Sequence, residues 1–108
     1  MGDAARAKTI EELGDELYAA LRARRTLSPL TERWPGITIQ DAYHVSLRLV
    51  TRRIEDDGEK IIGKKIGVTS RAVQEMLGVF QPDFGYLTDA MLYPNGGPMP
   101  ISEQLIQP

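Results

Sequence analysis

Apolar residues recur at helical spacing in two stretches of the chain and at alternate positions in a third. From Thr9, "TIEELGDELYAALRARR" puts Ile10, Leu13, Leu17 and Leu21 on one stripe, with Ala20 beside them and Glu11, Asp15 and Arg22 off it. That is the period of an amphipathic helix. Thr9 and Glu12 stand in capping-box spacing, so the helix is expected to begin at Thr9. Acidic residues at its start and Arg22, Arg24 and Arg25 at its end complement the helix dipole. Gly14 falls within the stripe, which predicts the close approach of another backbone. A second helix is expected over about 38–57, with Thr38 and Asp41 in capping-box spacing and Gly58 as its stop. Its buried arc reads as Ala42, Tyr43, Val45, Leu47, Leu49, Val50 and Ile54. His44, Arg48, Thr51 and Arg52 share the opposite arc, so the single histidine is expected to face solvent or a neighbouring subunit. Between the helices, "TLSPLTERWPGIT" reads as an irregular connector with Trp34 as a packing anchor.

The third pattern is "IIGKKIGV", a strand of period two. Alternation sets Ile62, Lys64, Ile66 and Val68 on one face and Ile61, Gly63, Lys65 and Gly67 on the other. "TSRAVQEMLG" follows as a short helix capped by Thr69 or Ser70 and stopped by Gly78, with Val73, Met76 and Leu77 as its apolar side. "VFQPDFGYLTDAMLYPNGGPMPI" mixes turns with short extended pieces, and Asn95–Gly97 suits a hairpin turn. The order is helical first and strand-bearing second, an α+β chain divided into a helical region, 1–58, and the start of a strand-rich domain, 59–108.

With 108 residues, 42% hydrophobic and 26% charged, the chain has the composition of one globular domain. A chain this size buries roughly 60 to 70% of its unfolded surface, so partner subunits would help it. A net charge of −2 and a pI near 5.4 argue against nucleic acid or an anionic membrane as partner, since both demand a basic excess. No cysteine is present, which removes disulfides, thiolate metal sites and a thiol nucleophile. The polar N-terminus lacks the core of a secretion signal and no run nears the ~20 apolar residues of a membrane span, so a cytoplasmic location is expected.

The chemistry concentrates around the strand. Lys65 has glycine two residues away on either side, so a small molecule could reach its ammonium and the backbone together. Lys64, on an apolar face, either snorkels from the sheet edge or is re-aimed by a bulge between the lysines. Thr69, Ser70 and Arg71 stand at a helix start where free amides favour an anion such as a substrate carboxylate, although Ser70 as a plain cap accounts for the same residues. Asp83 in "QPDFGYL" reads as a turn residue after Pro82. Its Asp-Phe-Gly triplet lacks the other loops of a kinase. A buried Lys–Asp pair can tune the proton affinity of both members, which suits proton transfer near neutral pH.

"IIGKKIGVTSRAVQEMLGVFQPDFGYLTDAM" and "PMPISEQLIQP", with "DELYAAL", "SPLTER" and "DAYHVSLRLV", closely resemble the N-terminal part of the 2-oxopent-4-enoate (2-hydroxypenta-2,4-dienoate) hydratases of the fumarylacetoacetate hydrolase superfamily. The resemblance covers nearly the whole chain. It implies a lyase of meta-cleavage aromatic catabolism that adds water to 2-hydroxypenta-2,4-dienoate to give 4-hydroxy-2-oxopentanoate. It further implies a mixed β-roll of which these are the first strands, and a homo-oligomer. Carried over by motif, Lys65 is the proton donor or enolate stabiliser, Asp83 the partner that orients or deprotonates water, and Ser70, with Thr69 beside it, a substrate contact. A divalent metal, Mg or Mn, would chelate the substrate, but the family's metal-binding carboxylates come from beyond "LIQP". No metal ligand is therefore expected in this chain, which resembles a fragment inactive by itself. The sister 2-oxo-3-hexenedioate decarboxylases share the Gly-x-Lys-x-Gly strand and Thr-Ser pair but tend not to keep the aspartate that here is Asp83. Two alternatives stand beside the hydratase: that decarboxylase activity, and a noncatalytic module assembling with other subunits or with the sister decarboxylase.

Overall fold

The computed structural model describes residues 2–104; the closing "LIQP" lies outside them. Helix α1 runs Asp3–Ala23, a single turn α2 Leu30–Arg33, and helix α3 Ile39–Asp57. Strand β1 spans Ile61–Gly67, helix α4 Arg71–Leu77 and strand β2 Asp83–Thr88, followed by 3-10 turns at Asp89–Met91 and Ile101–Glu103. The architecture is α+β, with the helices first and a two-stranded antiparallel sheet after them.

Helix α1 starts six residues before Thr9. Ala4, Ala5 and Arg6 favour helix, Asp3 suits the positive end of the helix dipole, and Thr9 sits inside the helix with its hydroxyl donating to the Ala5 carbonyl at 3.0 Å. The connector expected to be irregular contains the turn α2, and Trp34 after it lies beneath the Arg6 guanidinium, 5.1 Å from its ring centroid. Helix α3 has the caps read from its sequence. Thr38 Oγ1 accepts from the Asp41 amide at 3.1 Å, Asp41 Oδ2 accepts from the Thr38 amide at 2.9 Å, and Gly58 closes the helix at φ 69°.

Helices α1 and α3 pack at Gly14. A Cβ there would stand 2.4 Å from Cβ of Arg48 and 3.1 Å from the Val45 carbonyl, so only glycine admits this approach. Leu13, Ala20, Val45 and Val50 form the buried apolar core. Ion pairs surround it: Asp15 accepts from Arg48 at 2.7 Å and Arg52 at 2.9 Å, Arg6 pairs with Asp41, and Arg22 pairs with Asp57. The arc of α3 expected to face solvent is thus the arc that meets α1, because Arg48 lays its aliphatic stem over Gly14 while its head reaches Asp15. Of the arc expected to be buried, Val45 and Val50 are buried, whereas Ala42, Leu47 and Ile54 are exposed. Ala42 and Leu47 line the open space between α3 and a sheet of only two strands.

The sheet joins the helices through Glu59. This buried carboxylate accepts from Arg22 at 2.8 Å, Arg53 at 2.8 Å and the fully buried Thr88 hydroxyl at 2.6 Å, linking α1, α3 and β2. Pairing runs from Ile61↔Thr88 to Gly67↔Asp83, and the irregularity between Ile61 and Gly63 lies before the lysines rather than between them. Gly96 makes the expected turn, with φ 77° and the Gly97 amide donating to Pro94, but no strands flank it and no hairpin forms. The apolar side of α4 stays exposed, as do Phe80 and Leu92.

Candidate functional site

Antiparallel pairing places Lys65 opposite Gly85 and Asp83 opposite Gly67, so the lysine and the aspartate are diagonal neighbours on one face. Lys65 Nζ lies 2.6 Å from Asp83 Oδ2. The lysine stem crosses Gly85, where a Cβ would come within 2.7 Å of Lys65 Cε. Three glycines therefore clear the face: Gly63 and Gly67 along the strand and Gly85 across it. Asp83 opens β2 rather than forming a turn, because its backbone joins the ladder at Gly67. The pair is not buried. Lys65 is 47% and Asp83 56% exposed at the side chain.

The Lys65 ammonium, hydrogen-bonded to the Asp83 carboxyl, holds that carboxyl below the usual carboxylate range against a smaller upward push from partial burial. Asp83 is therefore an anion at neutral pH. Tyr43 of α3 adds to this hold. Its hydroxyl lies 3.4 Å from Asp83 Oδ1 and 3.4 Å from the Pro82 carbonyl, and accepts from the Phe84 amide at 3.2 Å. The Tyr43 and Phe84 rings stand 6.2 Å apart, tilted at 57°. Two clefts between α3 and the strands, of about 480 and 470 Å³, share Tyr43, Ser46 and Phe84 as walls; Asp83 lines the first and Lys65 the second.

Sequence reasoning placed Tyr43 in the core. The signal that could have found it is general: a half-buried tyrosine seeks a partner for its hydroxyl. Glu59 was also missed, and its burial has no marker in the local pattern.

The remaining predicted residues stand apart from the pair. Ser70 Oγ accepts from the Val73 amide at 3.2 Å as the cap of α4, Thr69 is exposed, and Arg71 pairs with Glu75 at 3.0 Å. Lys64 emerges on the opposite face, 5.7 Å from the ring centroid of Tyr86, its cross-strand neighbour. His44 is exposed. Val68 turns the chain from β1 toward α4 at φ 55°, a left-handed conformation rare for a β-branched residue, and its carbonyl accepts from Gln74 Nε2 at 2.9 Å. Among the described residues no three His, Asp or Glu side chains converge as a metal-ion site, and Asp83 is a lone carboxylate. These residues do not fit a divalent ion. Nor is any described helix long and apolar enough to cross a membrane.

Over 99 residues the chain is 66% identical to a 2-hydroxypent-2,4-dienoate hydratase of Pseudomonas putida, a match covering 92% of this chain and 44% of that protein. It is 55% identical over 100 residues to a 2-hydroxyhexa-2,4-dienoate hydratase of Comamonas testosteroni, covering 92% of this chain and 38% of that one. The structure resembles 4-oxalocrotonate decarboxylase from Pseudomonas putida G7, complexed with magnesium and adipate, at a TM-score of 0.68 and 32% identity over 77% of this chain and 31% of that one. No family model matches. The likeness to the hydratases read from the motifs is borne out, and the chain spans less than half the length of these curated relatives.

Proposed function

We propose that this chain is the N-terminal part of a 2-hydroxypenta-2,4-dienoate hydratase of the fumarylacetoacetate hydrolase superfamily, and that Lys65 and Asp83 are the part of its active site that this stretch carries. The observation behind the reading is their 2.6 Å contact on a glycine-cleared sheet face, within a sequence 66% identical to a named hydratase. In the reaction, the dienol ketonises by proton transfer and the conjugated oxo acid accepts water at its fourth carbon. Lys65, with protons to give, donates to or stabilises the enolate, and Asp83, held ionised, accepts a hydrogen bond from the incoming water and orients it. Ser70 and Thr69, at the end of the same strand, are the proposed substrate contacts.

Residues 1–58 form the helical region and 59–108 the start of a mixed β-roll in this reading. The exposed apolar residues of β1 and β2, Ile62, Ile66, Phe84 and Leu87, suit further strands and a homo-oligomeric parent. The parent takes a divalent metal, magnesium or manganese, on carboxylates outside residues 2–104; the magnesium bound by the decarboxylase relative supports a divalent ion.

The test is hydration of the dienoate by the full-length protein with magnesium or manganese. Lys65→Met and Asp83→Asn should each lower kcat by about 10²- to 10⁴-fold. Full activity in either variant, or in the isolated 108-residue chain, would sink the assignment. The likeness to a decarboxylase favours a second reading, decarboxylation of 2-oxo-3-hexenedioate, and the same preparation assayed on both substrates separates the two.

A further inference from the structure

Asp83 is held from two elements. Lys65 on β1 takes Oδ2 and Tyr43 on α3 faces Oδ1, so each carboxylate oxygen meets a donor from a different element. The Tyr43 hydroxyl has one proton for two acceptors, Asp83 Oδ1 and the Pro82 carbonyl, and it also receives the Phe84 amide. A single phenol oxygen thus touches three consecutive residues at the start of β2. Its ring is fixed in turn: it leans on Phe84 and forms the wall between the two clefts. Lys65 by itself would leave a half-exposed carboxylate free to turn about its Cβ–Cγ bond, because one contact defines a point and not a plane.

We infer that Tyr43 is a positioning residue for Asp83, setting the direction in which its carboxylate presents lone pairs to the clefts. It touches Asp83 and the backbone on either side of it, and acts on the reaction through that carboxylate. The catalytic consequence rests on the hydratase reading, whereas the orientation of Asp83 does not. A misplaced water is the expected cost. A loss of orientation lowers kcat more than it raises KM, since binding of the rest of the substrate is untouched.

The experiment compares full-length protein with its Tyr43→Phe variant, which keeps the ring and its contact with Phe84. Asp83 is followed by carbon NMR of labelled aspartate, assigned by its disappearance in Asp83→Asn, together with the Phe84 amide signal. The Asp83 titration midpoint should rise on loss of the donor. The Phe84 amide should lose protection, the thermal midpoint should change little, and kcat should fall about tenfold with KM within about twofold. An unmoved Asp83 midpoint overturns the inference, whatever happens to the rate, because a merely structural tyrosine would alter stability alone. If the midpoint moves but neither protein hydrates the dienoate, the positioning stands and the hydratase reading falls. Hydration with both the midpoint and kcat unchanged has the opposite meaning.

Discussion

Helices α1 and α3 satisfy each other, with Gly14 admitting Arg48, a small apolar core behind them, and arginines meeting Asp15, Asp41 and Asp57 around it. The strands, α4 and their connections do not: Phe80 is 96% exposed, Met76 74% and Leu92 70%, and the candidate chemistry stands on this less covered side. Scaffold and candidate site are thus built to different degrees of closure. The helical region holds its position through charge pairs that need no third layer. The strand region presents apolar surface of the kind that asks for one, and its Lys65–Asp83 pair is about half exposed beside it.

The sharpest way to break the contrast is to cut the tie between the regions. Glu59→Ala leaves Arg22, Arg53 and the Thr88 hydroxyl without their shared acceptor and should lower stability by about 3 kcal/mol in urea unfolding. A loss below about 1 kcal/mol would mean that the sheet is held otherwise. Gly14→Val attacks the helical region alone. Its side chain collides with the Arg48 stem, and a fall of about 2 kcal/mol is expected, read as a lowered thermal midpoint.

Acid should act on the same region. Arg48 holds Asp15 low; the Tyr18 hydroxyl and then Arg22 hold Asp57 low. For Glu59, burial pushes the carboxyl up, but Thr88, Arg53 and Arg22 together outweigh it. Carboxyls held below their unfolded values contribute in full above about pH 4 and give up that contribution as pH falls through the folded values. Circular dichroism should therefore show stability level above pH 5 and declining below about 4; a decline centred near pH 6 would contradict these pairs. The smallest effect belongs to the strand region. Lys65→Met removes an exposed pair and should change unfolding free energy by no more than about 0.5 kcal/mol. A larger loss would show Lys65 to be structural and close the contrast between the two regions.

The sequence made local features legible and distant ones obscure. The capping pair Thr38 and Asp41, the stops at Gly58 and Gly78, and the special place of Gly14 are all encoded within a few residues of where they act. The start of α1 was misplaced because Thr9 satisfies a capping pattern equally well from inside a helix, by bonding back to Ala5. The faces of α3 were read only in part: Val45 and Val50 are buried and His44 exposed as expected, but Arg48 and Arg52 meet α1 and Ala42, Leu47 and Ile54 stay exposed, because periodicity finds an apolar arc without saying which neighbour exists to cover it. At the candidate site, alternation isolated Lys65 and the stretch "QPDFGYL" drew attention to Asp83 as its partner, but their contact depends on strand register. Tyr43 and Glu59 act over 40 and 29 positions in sequence, beyond the reach of any local pattern.

Gly85 gives the site a vulnerability that its chemistry conceals. The ammonium reaches the carboxylate by travelling over a position where the chain has only a hydrogen atom, and alanine there would already meet the lysine stem at 2.7 Å. A survey of substitutions ranked by chemical severity would pass over that residue, since it carries no charge and makes no bond of its own through a side chain. One added methyl group there would press on the flexible end of the lysine and not on backbone, so its effect falls on where the ammonium meets the carboxylate and hardly at all on the fold.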